Sequence, residues 1–295
     1  MIALIGRPNV GKSTLMNRIL GQKLSITSRR PQTTRHRILG IKTDDGAQMI
    51  YVDTPGLHRH AKKAINRFLN KAASDALYDV DVVVMLVDAG RWTDEDQLVL
   101  DKFEHLKVPV IVAINKIDRM KDKSDLLPYL KKLTTRYEFA HILPISAITG
   151  EHVDALEGLL RDMIPVAPPL FDEDQITDRS VRFLASEFIR EKLFRRLGQE
   201  LPYGLTVEIE KFEEQEKITR IHGLIWVERD SQKAIVIGKS GSVLKQVGRD
   251  ARKDLERQLE KKVFLQLWVK VKEGWADDER ALRSLGYDWD AYVDK

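Results

Sequence analysis

Residues 6–13 read Gly6-Arg7-Pro8-Asn9-Val10-Gly11-Lys12-Ser13 and decide the fold of the first half of this 295-residue chain. The stretch matches the pattern GxxxxGK[ST], follows the apolar residues 1–5 and opens a helical pattern over 14–20. In such a loop the backbone N–H groups and the helix start surround a phosphate, the Lys12 ammonium contacts phosphate oxygens and the Ser13 hydroxyl binds Mg²⁺. We therefore predict a P-loop, with Thr14 as its last member.

Outward from this loop, short apolar runs alternate with amphipathic stretches as far as about residue 164. The runs cover residues 2–5, 49–52, 82–87, 108–114 and 142–145. Runs rich in Val and Ile that are separated by helical patterns are typical of buried parallel strands. We predict an α/β domain over 1–164 with a doubly wound, mostly parallel sheet.

A second motif, Asp53-Thr54-Pro55-Gly56, follows the second of these runs. There a carboxylate would reach Mg²⁺ through water, and the Gly56 N–H could contact a γ-phosphate. Taken alone, the motif is also compatible with a simple turn.

Two further motifs, Asn115-Lys116-Ile117-Asp118 and Ser146-Ala147, follow later runs. Guanine presents N1–H and 2-amino donors that the Asp118 carboxylate can accept together, and a backbone N–H of the second motif can donate to guanine O6. Each motif alone could be a capped turn. Four motifs in this order at strand ends, where doubly wound sheets bind ligands, predict GTP and GDP binding with Mg²⁺.

This half resembles the translation-factor-like GTPases, in the branch whose P-loop reads GRPNVGKS. By resemblance, the segment Gln32-Thr33-Thr34-Arg35 is a mobile first switch, and Thr34 rather than Thr33 joins Ser13 and Asp53 as a Mg²⁺ ligand. The alternative for this segment is a polar loop without a switch function. The resemblance makes Lys12, Thr34 and Gly56 the catalytic candidates.

The residue after Gly56 is Leu57, where small regulatory GTPases place a glutamine that orients the attacking water. Because leucine has no polar side-chain atom, we expect slow intrinsic hydrolysis. The Asn9 carbonyl oxygen resembles the K⁺ ligand of this branch, so K⁺ is a second candidate cation. His58 and His60 receive no role.

The second half begins after a linker, predicted over 165–178 from its prolines and acidic residues. Beyond it we predict an amphipathic helix over 179–198, strands over 205–209, 218–228 and 233–237, a helix over 242–259 and a strand over 263–271. This order, α-β-β-β-α-β, indicates a small α+β domain over 179–295.

A glycine loop, Gly238-Lys239-Ser240-Gly241, lies between the predicted strand 233–237 and the next helix. Such a loop can clamp the backbone of about four nucleotides. The arrangement resembles a KH domain of the bacterial type (type II), with Lys245 and Arg249 as further RNA contacts. A helix-capping turn is the alternative. Nine basic residues against four acidic ones over 233–262 favour an anionic partner.

Composition excludes several classes of protein. The chain has no cysteine, which removes disulfides and thiolate chemistry and suits a reducing compartment. It has no apolar run of about 18 residues and no signal-like start, which disfavours membrane insertion and export. The chain begins only five residues before Gly6, so we expect a trimmed N-terminus.

Across nearly all of its residues the chain resembles the Era family, with supporting matches at 177–179, 208–210, 267–272 and 274–286. The resemblance implies a bacterial GTPase that binds the 3′ end of 16S rRNA and assists assembly of the 30S subunit from its precursor. It also implies a monomer in the cytoplasm, with a part associated peripherally with the inner membrane.

Two alternatives remain open at this point. A signalling GTPase would use the second domain for protein docking. A membrane-surface GTPase would use the helix 179–198 as an interfacial helix.

Overall fold

The chain forms two compact units in the computed structural model, which describes residues 1–28, 30, 32–44, 46–56, 64–198, 204–285 and 287. Apart from residues 63–65, the division falls between Asp178 and Arg179. Each unit has its own β-sheet.

The first unit is built on a six-stranded sheet with the strand order β2-β3-β1-β4-β5-β6. Its elements in chain order are β1 (Ile2–Ile5), α1 (Lys12–Ile19), β2 (Ile38–Asp44), β3 (Ala47–Asp53), α2 (Ala64–Asp75), β4 (Val82–Asp88), α3 (Asp94–Leu100), β5 (Val110–Asn115), α4 (Leu126–Thr134), β6 (His141–Pro144) and α5 (Val153–Met163). Strand β2 pairs antiparallel with β3, and the other pairs are parallel. The predicted α/β class is confirmed.

The central strands carry the core of this unit. Every residue of β1 and β5 is buried, as is every residue of β4 except Asp88. Burying one such aliphatic side chain contributes about 1.5–3 kcal/mol, which is why near-continuous Val and Ile runs specify these strands. Because the strands are parallel, the segments that follow β1, β3, β5 and β6 meet along one edge of the sheet.

Strand β2 has no counterpart among the predicted runs. It pairs with β3 from Ile38 opposite Asp53 to Asp44 opposite Ala47. Its second half is charged, and Lys42 and Asp44 form ion pairs with Glu157 and Arg161 of α5. Because these charged residues interrupt the apolar run, the strand left only a weak pattern in the sequence.

The segment predicted as a linker, 165–178, belongs to the first unit and lies along β2. The Ile41 N–H donates to the Ile176 carbonyl oxygen at 2.9 Å, and Gly40 forms an antiparallel bridge with Thr177. The segment therefore pairs with backbone groups of β2.

The second unit contains a three-stranded sheet in the order β7-β8-β9, in which β7 and β8 are antiparallel and β8 and β9 are parallel. Its elements are α6 (Val181–Arg196), β7 (Leu205–Glu214), β8 (Ile218–Val227), α7 (Asp230–Ile237), α8 (Ser242–Leu259), β9 (Lys262–Val271) and α9 (Glu279–Ser284). The predicted α+β KH class is confirmed.

The predicted strand over 233–237 is wrong, because these residues form the second half of helix α7. The order of the unit is α-β-β-α-α-β before α9, and the glycine loop connects two helices. Within α7 only Val236 is buried, while Ile235 is 53% exposed. The β-branched run has high strand propensity, but packing of one helical face against its neighbours overrides it.

Helix α6 packs into the second unit with both apolar and charged residues. Phe188, Ile189 and Leu193 are buried, and Glu187 accepts from Arg190 Nε at 2.7 Å while both side chains are buried. This burial disfavours the alternative in which the helix 179–198 lies in a membrane interface. Among the described residues, no helix is both long and apolar enough to span a bilayer.

Candidate nucleotide site and nucleic-acid interface

Three side-chain oxygens from three separate segments of the first unit meet at the start of α1. Ser13 Oγ donates to Asp53 Oδ2 at 2.7 Å and lies 2.9 Å from Thr34 Oγ1. The hydroxyl of Thr33 is directed elsewhere, to the Arg30 carbonyl oxygen at 2.8 Å. The structure thus brings together the three residues that the sequence suggested as Mg²⁺ ligands, with Thr34 rather than Thr33 among them.

The Asp53 carboxylate is fully buried, and burial raises its pKa against the Ser13 hydrogen bond and the Lys12 charge, which lower it. Its Oδ1 atom has no hydrogen-bond partner among the described residues. A buried carboxylate oxygen without a partner costs free energy unless a cation or water satisfies it. Hydroxyl and carboxylate oxygens are the ligands that Mg²⁺ prefers, so these residues fit that ion.

The Lys12 ammonium lies inside the P-loop. Its Nζ donates to the carbonyl oxygens of Gly6 at 2.8 Å and Arg7 at 3.0 Å. Burial lowers the pKa of Lys12 to about 8, although the Asp53 charge opposes this. A buried ammonium that bonds neutral carbonyl oxygens is a strong site for an anion such as phosphate.

Ion pairs with two acidic residues hold the P-loop in place. Arg7 bonds Asp88 and, through Nε at 3.2 Å, Asp96. Lys116 Nζ donates to the main-chain oxygen of Asn9 at 2.6 Å and pairs with Asp88 Oδ1 at 2.6 Å. The contacts of Arg7 and Lys116 thus tie the P-loop to Asp88 at the end of β4, and Arg7 ties it to Asp96 of α3 as well.

The segment after β3 packs directly on the P-loop. The Thr54 hydroxyl donates to the Leu4 carbonyl oxygen at 2.9 Å, and Pro55 is buried. A Cβ atom on Gly56 would lie 2.7 Å from the nitrogen of Pro8, so only glycine fits there. Residues 57–63, which include Leu57, His58 and His60, lie outside the described residues.

Asn115 joins three of the predicted motifs. Its Nδ2 donates to the Val10 carbonyl oxygen at 2.7 Å, and its Oδ1 accepts from the N–H groups of Lys116 at 2.8 Å and Ala147 at 2.9 Å. One buried amide therefore holds the P-loop and both base-binding motifs together.

The Asp118 carboxylate is exposed at the edge of this assembly, where its Oδ1 accepts from Ser146 Oγ at 2.6 Å. A carboxylate has about four acceptor positions, so it can still accept two donors from a base. The backbone N–H groups of the last motif are already directed to protein oxygens, Ser146 to Glu151 at 3.0 Å and Ala147 to Asn115. Any donation to guanine O6 from Ala147 would therefore be shared with Asn115.

Two residues of α1 position neighbouring segments of the site and were not predicted from the sequence. Asn17 Oδ1 accepts from the N–H groups of Leu24 and Ser25, both at 2.9 Å, which holds the chain that leads toward Thr34. Arg18 donates to the carbonyl oxygens of Ala147, at 3.4 Å, and of the next residue. Neither belongs to a phosphate or base motif, and only their position on the helix after the P-loop could have indicated them.

In the second unit the glycine loop between α7 and α8 has a backbone that few other residues could adopt. Gly238 has φ 74°, and a Cβ atom there would lie 2.5 Å from Val243 Cγ2. Ser240, although not a glycine, has φ 50°. Lys239 and Ser240 are exposed, and Gly241 caps the start of α8, so the loop presents its polar atoms to solvent.

Helix α8 presents Lys245 and Arg249 to solvent. Its buried face consists of Val247, Ala251 and Leu255. Residues four apart on a helix lie on one side, so the two predicted RNA contacts are adjacent to each other.

Comparison with known proteins agrees with this geometry. Residues 1–116 match a family described as 50S ribosome-binding GTPase, and residues 200–276 match the KH domain family. GTPase Era of Ectopseudomonas mendocina is 61% identical over 286 residues, which is 97% of this chain and 96% of that protein. GTPase Era of Pseudomonas aeruginosa is 58% identical, over 97% of this chain and 94% of that protein. This chain belongs to the Era family of GTPases.

Solved Era structures share the fold over nearly the whole chain. An Era variant from Aquifex aeolicus bound to GDP·AlF4⁻ is 38% identical, with a TM-score of 0.93 over 97% of this chain and 98% of that chain. Era in complex with MgGDPNP and nucleotides 1506–1542 of 16S ribosomal RNA is also 38% identical, with a TM-score of 0.93 over 97% of each chain. The family resemblance inferred from the sequence motifs is confirmed.

Proposed function

We propose that this protein binds GTP and GDP with Mg²⁺, hydrolyses GTP slowly, and binds the 3′ end of 16S rRNA during maturation of the 30S subunit precursor. The observation that carries the proposal is the convergence of Ser13, Thr34 and Asp53 on the P-loop, in one chain with an exposed glycine loop of the KH domain. The Era complex with MgGDPNP and 16S rRNA supports both halves of the proposal.

In the phosphate site, the backbone of the P-loop surrounds the β-phosphate and Lys12 contacts the β- and γ-phosphate oxygens. Ser13, Thr34 and Asp53 hold Mg²⁺, which when bound neutralises charge on those oxygens. The Gly56 N–H donates to the γ-phosphate. These residues stabilise the charge of the transferring phosphoryl group rather than form bonds to it. The nucleotide-contacting set is Gly6, Arg7, Pro8, Asn9, Val10, Gly11, Lys12, Ser13, Thr14, Asp53, Thr54, Pro55, Gly56, Asn115, Lys116, Asp118, Ser146 and Ala147.

Guanine specificity comes from Asp118, which accepts from the N1–H and 2-amino groups. Ser146 orients this carboxylate through its hydroxyl, and Asn115 positions the backbone of Lys116 and Ala147. The Ala147 N–H donates to guanine O6 as a shared hydrogen bond, a form that is common in proteins.

Hydrolysis is slow because Leu57 supplies no group that orients water. Potassium is the proposed additional cation, bound near the phosphates by Asn9. Since Lys116 bonds the main-chain oxygen of Asn9 at 2.6 Å, the side-chain carbonyl oxygen is the proposed K⁺ ligand. We expect faster hydrolysis in K⁺ than in Na⁺, and no difference in Asn9→Ala; equal rates for the wild type in both salts would reject this role.

The proposed domain limits are 1–164 for the GTPase domain, 165–178 for the linker, which packs along β2 of the first unit, and 179–295 for the KH domain. The RNA contacts are Gly238, Lys239, Ser240, Gly241, Lys245 and Arg249. We place the protein in the cytoplasm as a monomer, with a part bound peripherally to the inner membrane.

The test replaces Lys239 and Ser240 by Asp, which places two carboxylates where RNA phosphates approach. Affinity for an RNA of 16S nucleotides 1506–1542 should fall about a hundredfold at low salt, while GTP affinity and basal hydrolysis stay unchanged. The matched control, Gln215→Asp with Lys217→Asp, makes the same charge change at exposed positions in the turn between β7 and β8.

Circular dichroism and thermal unfolding confirm that the variants fold. Unchanged RNA affinity in the folded loop variant would mean that Gly238–Gly241 only caps α8, and the protein-docking alternative would then be favoured.

A further inference from the structure

A polar groove of about 490 Å³ lies between α6 and α8 of the second unit, on residues that the RNA site above does not include. Five of its lining residues are basic and two are acidic. They are Lys192, Arg195, Arg196, Asp250, Lys253, Asp254 and Arg257. With this lining the groove suits an anion.

The cations that α6 contributes are already paired. Arg196 Nη2 donates to Asp250 at 2.6 Å, and Lys192 bonds both Asp254 and Glu191, the latter at 2.9 Å. Arg195 bonds Glu191 at 3.0 Å. These pairs neutralise the carboxylates that line the groove.

The cations that α8 contributes are different. Lys253 and Arg257 are exposed, and in the part of the chain that the structure describes neither forms an ion pair. They lie one helical turn apart on the same side of α8. Two positive charges without an ion-pair partner among the described residues therefore remain in the groove, while both of its carboxylates are paired with cations of α6.

These two residues continue the row that begins near the glycine loop. Lys245, Arg249, Lys253 and Arg257 are each four residues apart, so successive side chains are displaced by about 6 Å along the helix and by about 40° around it. The first two are the RNA contacts of the proposed function. The row extends about 18 Å from Lys245 to Arg257 and ends in the groove.

We infer that the α6–α8 groove is a second RNA site, which binds phosphates of the RNA strand beyond the nucleotides held by the glycine loop. This inference rests on the proposed RNA binding of the KH domain. The ligand class is the RNA phosphodiester backbone, because phosphates at intervals along a strand match a row of cations, and the residues that line the groove are all charged rather than apolar or aromatic, as bases or acyl chains would require. The glycine loop alone covers about four nucleotides, so only a longer RNA reaches the groove.

The experiment compares two double variants that each remove two positive charges. Lys253→Gln with Arg257→Gln alters the groove; Lys217→Gln with Lys262→Gln is the matched control at exposed positions away from it. Glutamine keeps helix propensity close to that of lysine and arginine, and no ion pair is broken at the two groove positions. Lys253→Arg with Arg257→Lys, which keeps both charges, should bind as the wild type does.

Two RNA probes separate the groove from the loop: nucleotides 1506–1542 of 16S rRNA, and the shortest fragment of it that the wild type still binds. The groove variant should bind the long RNA about tenfold more weakly at 50 mM salt and reduce its salt slope by about 1.4, since each single-strand phosphate contact contributes about 0.7. Its affinity for the short fragment should not change.

A groove variant that binds the long RNA as tightly as the matched control does would overturn the inference. The inference would also be overturned if the groove variant lost binding to vesicles of phosphatidylglycerol and phosphatidylcholine while its RNA affinity stayed unchanged. That result would assign the groove to lipid headgroups. Failure of the proposed function has a different signature: Lys239→Asp with Ser240→Asp would then bind both RNAs as the wild type does.

Discussion

The nucleotide site and the glycine loop handle charge in opposite ways. Lys12 and Asp53 are 6% and 0% exposed and bond to neighbours inside the protein, whereas Lys239 and Ser240 are exposed on a loop. Burial changes the pKa of Lys12 and Asp53, so the first site depends on desolvation and on exact partners. The loop depends on backbone shape and on charge that acts through solvent, so its interactions should be sensitive to salt.

Removing one lysine from each region should give the largest difference between the two regions in their effects on GTP affinity and RNA affinity. Lys12→Ala removes a buried charge that contacts phosphates, so GTP affinity should fall about a thousandfold or more. Lys239→Ala should leave GTP affinity within about twofold of the wild-type value and weaken RNA binding only modestly. Titration with a fluorescent GTP analogue and with labelled RNA measures both. Wild-type GTP affinity in Lys12→Ala would refute the P-loop assignment.

Exchanging a single carboxylate should next change which base the first site accepts. In Asp118→Asn the amide can donate to the 2-oxo group of xanthine, where the carboxylate accepted from the 2-amino group of guanine. GTP affinity should fall about a hundredfold, and XTP should become the preferred nucleotide. Asp125→Asn, a nearby exposed carboxylate, is the control. Unchanged preference for GTP over XTP in Asp118→Asn would remove Asp118 from the base site.

Alkaline pH should weaken nucleotide binding through Lys12. Its pKa in the nucleotide-free protein is lowered to about 8, so above that pH the side chain is largely neutral, while phosphate binding requires the ammonium. Affinity for GDP should therefore fall by up to about tenfold per pH unit above pH 8, with uptake of close to one proton on binding. Calorimetry at pH 9 in two buffers of different ionisation enthalpy measures that proton. A dissociation constant that stays constant from pH 7 to 9.5 would contradict the buried, deprotonated Lys12.

The sequence indicated which motifs would meet at one edge of the first sheet, because these motifs follow strands and parallel strands bring their carboxyl ends to one edge. It could not predict that Asn115 Oδ1 accepts the Ala147 N–H, or that Arg18 holds the same loop, because these contacts depend on distances between segments far apart in the chain. Motif residues were visible, and the side chains that position them were not.

In the second unit the helix after the glycine loop was predicted correctly, and the segment before the loop was not. The run 233–237 has the composition of a strand, yet it forms the end of α7 because Val236 packs inward. Local propensity is weaker than tertiary packing over such a short segment. The charged strand β2 was not predicted, because its pairing with β3 and its ion pairs with α5 leave no pattern in the local sequence.

The smallest expected effect concerns the stability of the nucleotide-free protein. Burial raises the pKa of Asp53 above its ordinary value of 3.8, so the folded protein binds that proton more tightly than the unfolded chain does. Stability contributed by the protonated form is therefore lost as pH rises from 3.8 through the raised pKa, and at pH 7 the ionised carboxylate opposes folding.

Asp53→Asn removes this cost, and its side-chain oxygen can still accept from Ser13. Without nucleotide and Mg²⁺ the melting temperature at pH 7 should therefore rise by about 2–4 °C for each 1 kcal/mol gained. The gap between variant and wild type should narrow as pH falls toward 3.8. With GDP and Mg²⁺ present the order should reverse, because the variant lacks the carboxylate that holds the ion. The exposed change Asp118→Asn should leave the nucleotide-free melting temperature unaltered, and a lower melting temperature for Asp53→Asn under the same conditions would show that attraction to Lys12 outweighs desolvation in this site.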